Sequence, residues 1–151
     1  SRALPIRLAP CLAFLLRLSL MAALKLLLLS ILGAAAITED ELYRWLYSSD
    51  GLNLGSADAK ATAAREAPIL TQCAVGVDDL TKLKAVLYST SSLDYSMNTI
   101  RDILIPLAKQ HVDPKELNSL FQKLYSTKGV DLSRTDAQSR SLELAKAYAE
   151  A

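Results

Sequence analysis

His111 is the only histidine in the 151-residue chain and the first residue to consider for chemistry. A histidine can act as a general base, bind a metal or serve as the axial ligand of a pigment. The nearest carboxylate in the sequence is Asp113, and the folded part offers only one cysteine, so the usual nitrogen and sulfur ligands of zinc are too few. We expect His111 to lie in the last turn of a helix, where it interacts with the helix dipole.

Residues 50–55 carry oxygen-bearing side chains that raise the question of a calcium site. The segment reads Asp-Gly-Leu-Asn-Leu-Gly. An EF-hand loop needs oxygen ligands at alternate positions over twelve residues and a closing glutamate. Leucines stand where ligands would be required, so we predict that no metal binds here.

The sequence contains none of the common catalytic or nucleotide-binding motifs. It has no G-x-S-x-G, no G-x-x-x-x-G-K, and only five scattered glycines, which cannot form a phosphate-binding loop. Its carboxylates gather where helices begin, and helix capping accounts for them. We therefore expect no catalytic residue, no cofactor and no enzymatic activity.

A short phrase with a central tyrosine occurs three times. It reads Leu-Tyr-Ser-Ser at 46–49 and Leu-Tyr-Ser-Thr at 87–90 and 124–127. Tyrosine has an apolar ring and a polar tip, and binding interfaces are enriched in it. The candidate partner-binding residues are Trp45, Tyr47, Tyr88 and Tyr125. The alternatives are loop packing for the tyrosines and core packing or a membrane-interface anchor for Trp45.

The threefold phrase also predicts the fold. Its copies are 41 and 37 residues apart, each has a leucine four residues before its leading leucine, and each is followed by a second matching cluster. A period in this range is typical of helical hairpins that stack to bury their apolar faces. We predict an all-α domain of about six helices in three hairpins, at residues 38–77, 78–114 and 115–151. They would form a short solenoid or a compact bundle.

Local signals predict where several helices begin and end. Thr38 and Glu41 form a capping-box pattern, Asp113 precedes a first-turn proline, and Ser133 precedes Asp136 by three residues. We predict that the second helix ends or kinks at proline 68 and that one further helical turn follows before glycine 76. The Asx residues Asn53, Asp94 and Asp131 should accept amide hydrogen bonds near the starts of second helices. In the last helix Ala137, Leu144, Ala145 and Tyr148 are expected to face inward.

Residues 8–37 are almost entirely apolar, and the first acidic residue of the chain is Glu39. In one interpretation Met21 is the initiator and residues 21–36 form an export signal that ends in a small-residue cleavage site. In the other, the segment stays attached and spans a membrane, with Lys25 near its middle as the difficulty. Both place residues 38–151 on the lumenal or extracytoplasmic side, by a plastid, mitochondrial or secretory route.

The charge distribution argues against nucleic-acid binding. Sixteen acidic and thirteen basic residues from Glu39 onward leave this part with a net charge of −3, and a nucleic-acid surface needs clustered lysine and arginine. The most consistent function is a non-enzymatic accessory subunit that docks on other subunits of a membrane complex, photosynthetic or respiratory. The alternative is a secreted helical interaction protein, an effector or ligand carrier. The plan of an export leader before a helical bundle is similar to that of small extrinsic proteins of thylakoid lumens, a likeness that extends to no motif.

Overall fold

The computed structural model describes residues 37–151, and all regular structure in this range is helical. The six helices are α1 (Glu39–Tyr47), α2 (Ser56–Gln72), α3 (Val77–Tyr88), α4 (Met97–Lys109), α5 (Pro114–Tyr125) and α6 (Arg134–Glu150). The prediction of an all-α fold with six helices is confirmed for this part of the chain. The predicted signal or membrane segment, residues 8–37, lies outside the described residues except for its last position. The chain divides into two compact units, residues 1–77 and 78–151.

The first unit contains α1 packed against α2. The apolar stripe of α1 is buried, with Leu42, Trp45 and Leu46 no more than 8% exposed. The facing side of α2 is lined by alanines, which allow the two helices to approach closely. The Thr71 hydroxyl donates to the Ile37 carbonyl at 2.9 Å and so holds the start of α1 against the end of α2.

Three predicted helix starts are confirmed. The Thr38 hydroxyl accepts the Glu41 amide at 3.0 Å while the Glu41 carboxylate accepts the Thr38 amide at 3.0 Å. These hydrogen bonds hold the pKa of Glu41 below its usual value. Asp113 accepts the Lys115 amide at the start of α5, and Ser133 accepts the Asp136 amide at the start of α6.

Helices α2 and α4 end with the same backbone motif. The position at which α2 ends differs from the prediction. Helix α2 continues through proline 68 to Gln72. The residue that ends it is Ala74, whose φ of 59° is left-handed and whose amide donates to the Thr71 carbonyl. His111 has the same φ and donates to the Ala108 carbonyl beyond α4. Both ends are therefore Schellman motifs formed without glycine, and His111 lies just past its helix rather than within the last turn.

The second unit contains α3 to α6, and α5 packs directly on α6. Its core is formed by leucines of α3 and α4 together with Phe121 of α5, all nearly inaccessible to solvent. The prediction for α6 is right for Ala137 and Ala145, which are buried. It is wrong for Leu144 and Tyr148, which are 38% and 57% exposed. No helix within residues 37–151 combines the length and apolar character needed to cross a bilayer.

Candidate functional site

The three repeated phrases form three loops with one hydrogen-bonding pattern. We call residues 46–54, 87–95 and 124–132 the first, second and third corners. In each corner the tyrosine is the last residue of its helix, and the serine after it accepts the amide of the residue two positions on, at 3.0, 3.2 and 3.1 Å. In each, the amide of the last residue donates to the carbonyl of the leading leucine at 2.8 Å. Repetition in sequence thus corresponds to repetition in local structure.

The Asx residues of the corners do not cap the second helices as predicted. Asn53, Asp94 and Asp131 have φ values of 50°, 57° and 60°. Asparagine and aspartate adopt this left-handed conformation at lower cost than most residues with a Cβ atom. The N-caps are instead the residues two positions later, which are Gly55, Ser96 and Ser133. The corner therefore selects Asx for its backbone conformation.

The three corner tyrosines share one environment. Tyr47, Tyr88 and Tyr125 are 52%, 49% and 37% exposed. Each ring also has a local contact: Tyr47 stacks on Tyr43 at 5.8 Å, Tyr88 lies under the Lys84 ammonium, and Tyr125 stacks on Phe121 at 5.2 Å. Each of the three rings is therefore partly exposed and in contact with a neighbouring side chain.

The fourth candidate residue, Trp45, is placed differently. Its side chain is only 8% exposed, so it packs in the interior of the first unit. A Cβ atom added at Gly51 would lie 1.7 Å from the Trp45 carbonyl oxygen, which shows how closely the first corner approaches the end of α1. Its burial accords with the core-packing interpretation, and the partner-anchor interpretation of Trp45 stays a prediction.

The second corner is held by polar side chains of α5 and α6. The Gln122 amide donates to the Ser91 carbonyl and the Arg134 guanidinium to the Ser92 carbonyl, both at 2.8 Å. Gln138 donates to the Leu93 carbonyl, and the Ser92 hydroxyl donates to the Asn118 amide oxygen at 2.9 Å. These four side chains, Asn118, Gln122, Arg134 and Gln138, are here called the corner-binding set. Gln122, Arg134 and Gln138 donate to carbonyls of the second corner, and Asn118 accepts from its Ser92 hydroxyl.

Arg134 occupies the centre of the corner-binding set. Its guanidinium carbon lies 4.7 Å from the centre of the Tyr125 ring and 5.5 Å from that of Phe121. A second Arg134 nitrogen is 3.4 Å from the Thr90 carbonyl oxygen. One side chain therefore joins the second corner to the tyrosine of the third. No local sequence signal marks Arg134, because the carbonyls to which it donates lie more than forty positions away.

His111 is half-buried. Burial lowers its pKa, and the charge of Asp79 opposes that shift. Within residues 37–151, no cluster of three or more histidine, cysteine, aspartate or glutamate side chains could hold a metal ion.

Comparison with known protein families gives one match. Residues 33–151 match the family described as Domain of unknown function (DUF8283), and the chain belongs to this family. The match covers all six helices and all three corners. Searches of curated proteins and of solved structures found no match.

Proposed function

We propose that this DUF8283 protein is a non-enzymatic accessory or stabilising subunit of a larger membrane-associated complex, which it joins by protein–protein docking. The docking surface would be built from three helical hairpins, at residues 38–77, 78–114 and 115–151. Each hairpin carries one corner and one outward-facing tyrosine.

The observation that supports docking most directly is the threefold corner tyrosine. A tyrosine that serves packing alone would be expected to bury its ring, yet these rings stay 37% to 52% exposed while the leucine five residues earlier in each helix is buried. Tyrosines held by neighbouring rings or aliphatic stems lose little conformational freedom when a partner binds, which favours their use as anchors. The complex is proposed to be photosynthetic or respiratory.

The membrane setting is supported by the sequence of residues 8–37. Their apolar length is sufficient to cross a bilayer, and their charges are exclusively positive. The positive-inside rule then places residues 38–151 on the lumenal or extracytoplasmic side. Carbonate extraction of native membranes tests this part: an anchored chain stays in the pellet with residues 1–37 attached.

The docking proposal is tested with a triple variant in which Tyr47, Tyr88 and Tyr125 are replaced by alanine. We expect the fraction of chain migrating with a high-mass complex on native gels to fall at least about tenfold, as removal of interface anchors does. The matched control is Tyr148→Ala, because Tyr148 is 57% exposed and lies outside all corners. Unchanged migration of the triple variant would reject the tyrosine surface.

A second candidate is a secreted helical interaction protein, acting as an effector or ligand carrier. The export-signal pattern of residues 21–36 favours it. N-terminal sequencing decides between the two, since a mature chain that begins near Ile37 and is released by carbonate has no anchor.

A further inference from the structure

Val130 is the exception among the residues that close the three corners. Its side chain is 60% exposed, whereas Leu52 and Leu93 at the matching positions are 1% and 0% exposed. Leu144 shows the same contrast: it is 38% exposed, and Leu107, its counterpart 37 residues earlier, is 2% exposed. The third copy thus exposes apolar side chains at positions that the second copy buries.

The second corner shows what kind of surface covers a corner in this protein. Its backbone carbonyls accept hydrogen bonds from Gln122, Arg134 and Gln138, and its Ser92 hydroxyl donates to Asn118. These side chains lie on α5 and α6, which belong to the following copy of the phrase. The cover is therefore a helix pair that presents polar groups four residues apart on each helix.

The first helix pair, α1 and α2, offers a related set of side chains. The positions 78 residues before the corner-binding set are Asp40, Arg44, Ser56 and Lys60, and all four are exposed. Arg44 matches Gln122, and Lys60 matches Gln138. Both can donate to backbone carbonyls, and the ion pair between Arg44 and Asp40, at 3.0 Å, is too exposed to prevent rearrangement.

We propose that the third corner binds the α1–α2 pair of a second copy of this chain, in a head-to-tail arrangement. Arg44 and Lys60 of one copy donate to carbonyls of the third corner of the other, as Gln122 and Gln138 do at the second corner. Val130 and Leu144 are buried in the contact. Because the two surfaces are different, the contact is heterologous and extends into rings or linear assemblies. It does not depend on the proposed membrane partner.

The test uses the full chain in a mild detergent, with mass measured by light scattering after size exclusion. We expect a mass that rises with protein concentration. Val130→Asp should weaken self-association at least about tenfold, as loss of a central interface contact does, and so should the double change Arg44→Glu with Lys60→Glu. Asn98→Asp is the control, because it adds the same single charge at an exposed residue of α4. It should leave the mass unchanged.

Mixing the two impaired variants identifies the arrangement. Each variant keeps one intact surface, the α1–α2 pair in one and the third corner in the other, so the mixture should form a one-to-one dimer that neither forms alone. A monomer at every concentration would overturn the proposal. So would a mass that no variant changes, which would assign association to other residues, or a mixture that stays monomeric. Unchanged far-UV circular dichroism of each variant shows that it has folded.

Discussion

The guanidinium of Arg134 lies 4.7 Å from the centre of the Tyr125 ring, and the same guanidinium donates to a carbonyl of the second corner. This contact links the start of α6, the end of α5 and a loop that precedes both. A planar guanidinium can stack on a ring and direct its donors outward at once, which an ammonium group cannot do. Arg134 therefore contacts the Tyr125 ring and the second corner at the same time.

Replacing Arg134 by alanine should destabilise the second unit. The variant loses a charge-assisted hydrogen bond and a cation–π contact, and we expect the free energy of unfolding to fall by about 1–2 kcal/mol. Arg134→Lys should recover only part of this loss. Arg140→Ala is the control, because Arg140 is exposed and its ion pair with Glu143, at 3.5 Å, is exposed as well. We expect the free energy of unfolding to change by less than about 0.5 kcal/mol in this variant. Urea unfolding measures all three, and equal effects at positions 134 and 140 would contradict the structure.

The glycines of the first corner provide a sharper comparison. A Cβ atom at Gly51 would lie 1.7 Å from the Trp45 carbonyl oxygen, whereas one at Gly55 would meet no atom within 4 Å. We expect Gly51→Ala to lower the free energy of unfolding by about 1–3 kcal/mol, because backbone must move. Gly55→Ala should cost less than about 1 kcal/mol, because the added methyl meets no atom and only the preference for glycine over alanine at an N-cap is lost. Thermal unfolding distinguishes the two, and a tolerated Gly51→Ala would show that the corner is looser than described.

The left-handed Asx residues predict an unusual order of substitutions. At Asp94, whose φ is 57°, valine should cost about 1–2 kcal/mol of stability, while glycine should be close to neutral. At Asp102, an exposed residue within α4, the order should reverse because glycine is the poorer helix former. Denaturant unfolding of the four variants tests this. The same order at both positions would argue against the left-handed conformation.

Local sequence signals predicted the parts of the fold that depend on neighbours in the chain. The capping box at Thr38 and the caps at Asp113 and Ser133 involve residues two or three positions apart, so the sequence alone identifies them. Each copy of the repeated phrase ends its helix at the tyrosine, again through residues close in sequence. A left-handed φ at an Asx residue leaves no periodic signal in the sequence. The sequence therefore predicts a helix cap at Asn53, Asp94 and Asp131, where the structure has a left-handed residue.

The sequence-based predictions fail where contacts between distant segments determine which side chains are buried. Leu144 and Tyr148 have the spacing of a buried face, but Ser141 and Ala145 occupy it, and nothing in the spacing distinguishes the two choices. Val130 matches two buried leucines in register and is nevertheless exposed. The role of Arg134 depends on carbonyls 42 and 44 positions earlier. Such pairs are defined only by the folded chain.

His111 makes the stability of the fold depend on pH. Burial lowers its pKa below the ordinary value of 6.5, so the unfolded chain binds a proton at a pH where the folded chain does not. Stability is then full above about pH 6.5 and falls as the pH decreases through the lowered pKa. Between about pH 7.5 and 5.5 the free energy of unfolding should decrease in the native chain. The decrease should be smaller in His111→Asn, which tolerates the left-handed backbone and cannot titrate.

Asp79 supplies the second arm of the same experiment. Its charge raises the pKa of His111 and so opposes the effect of burial. Asp79→Asn removes this opposition, and the pKa of His111 should fall further. The loss of stability on acidification should therefore be steeper in Asp79→Asn than in the native chain, whereas the double variant should behave like His111→Asn. Nuclear magnetic resonance titration of the imidazole gives the pKa directly, and a value at or above 6.5 would contradict both the burial of the ring and the predicted sign. Since the chain has one histidine, its signal is assigned without further labelling.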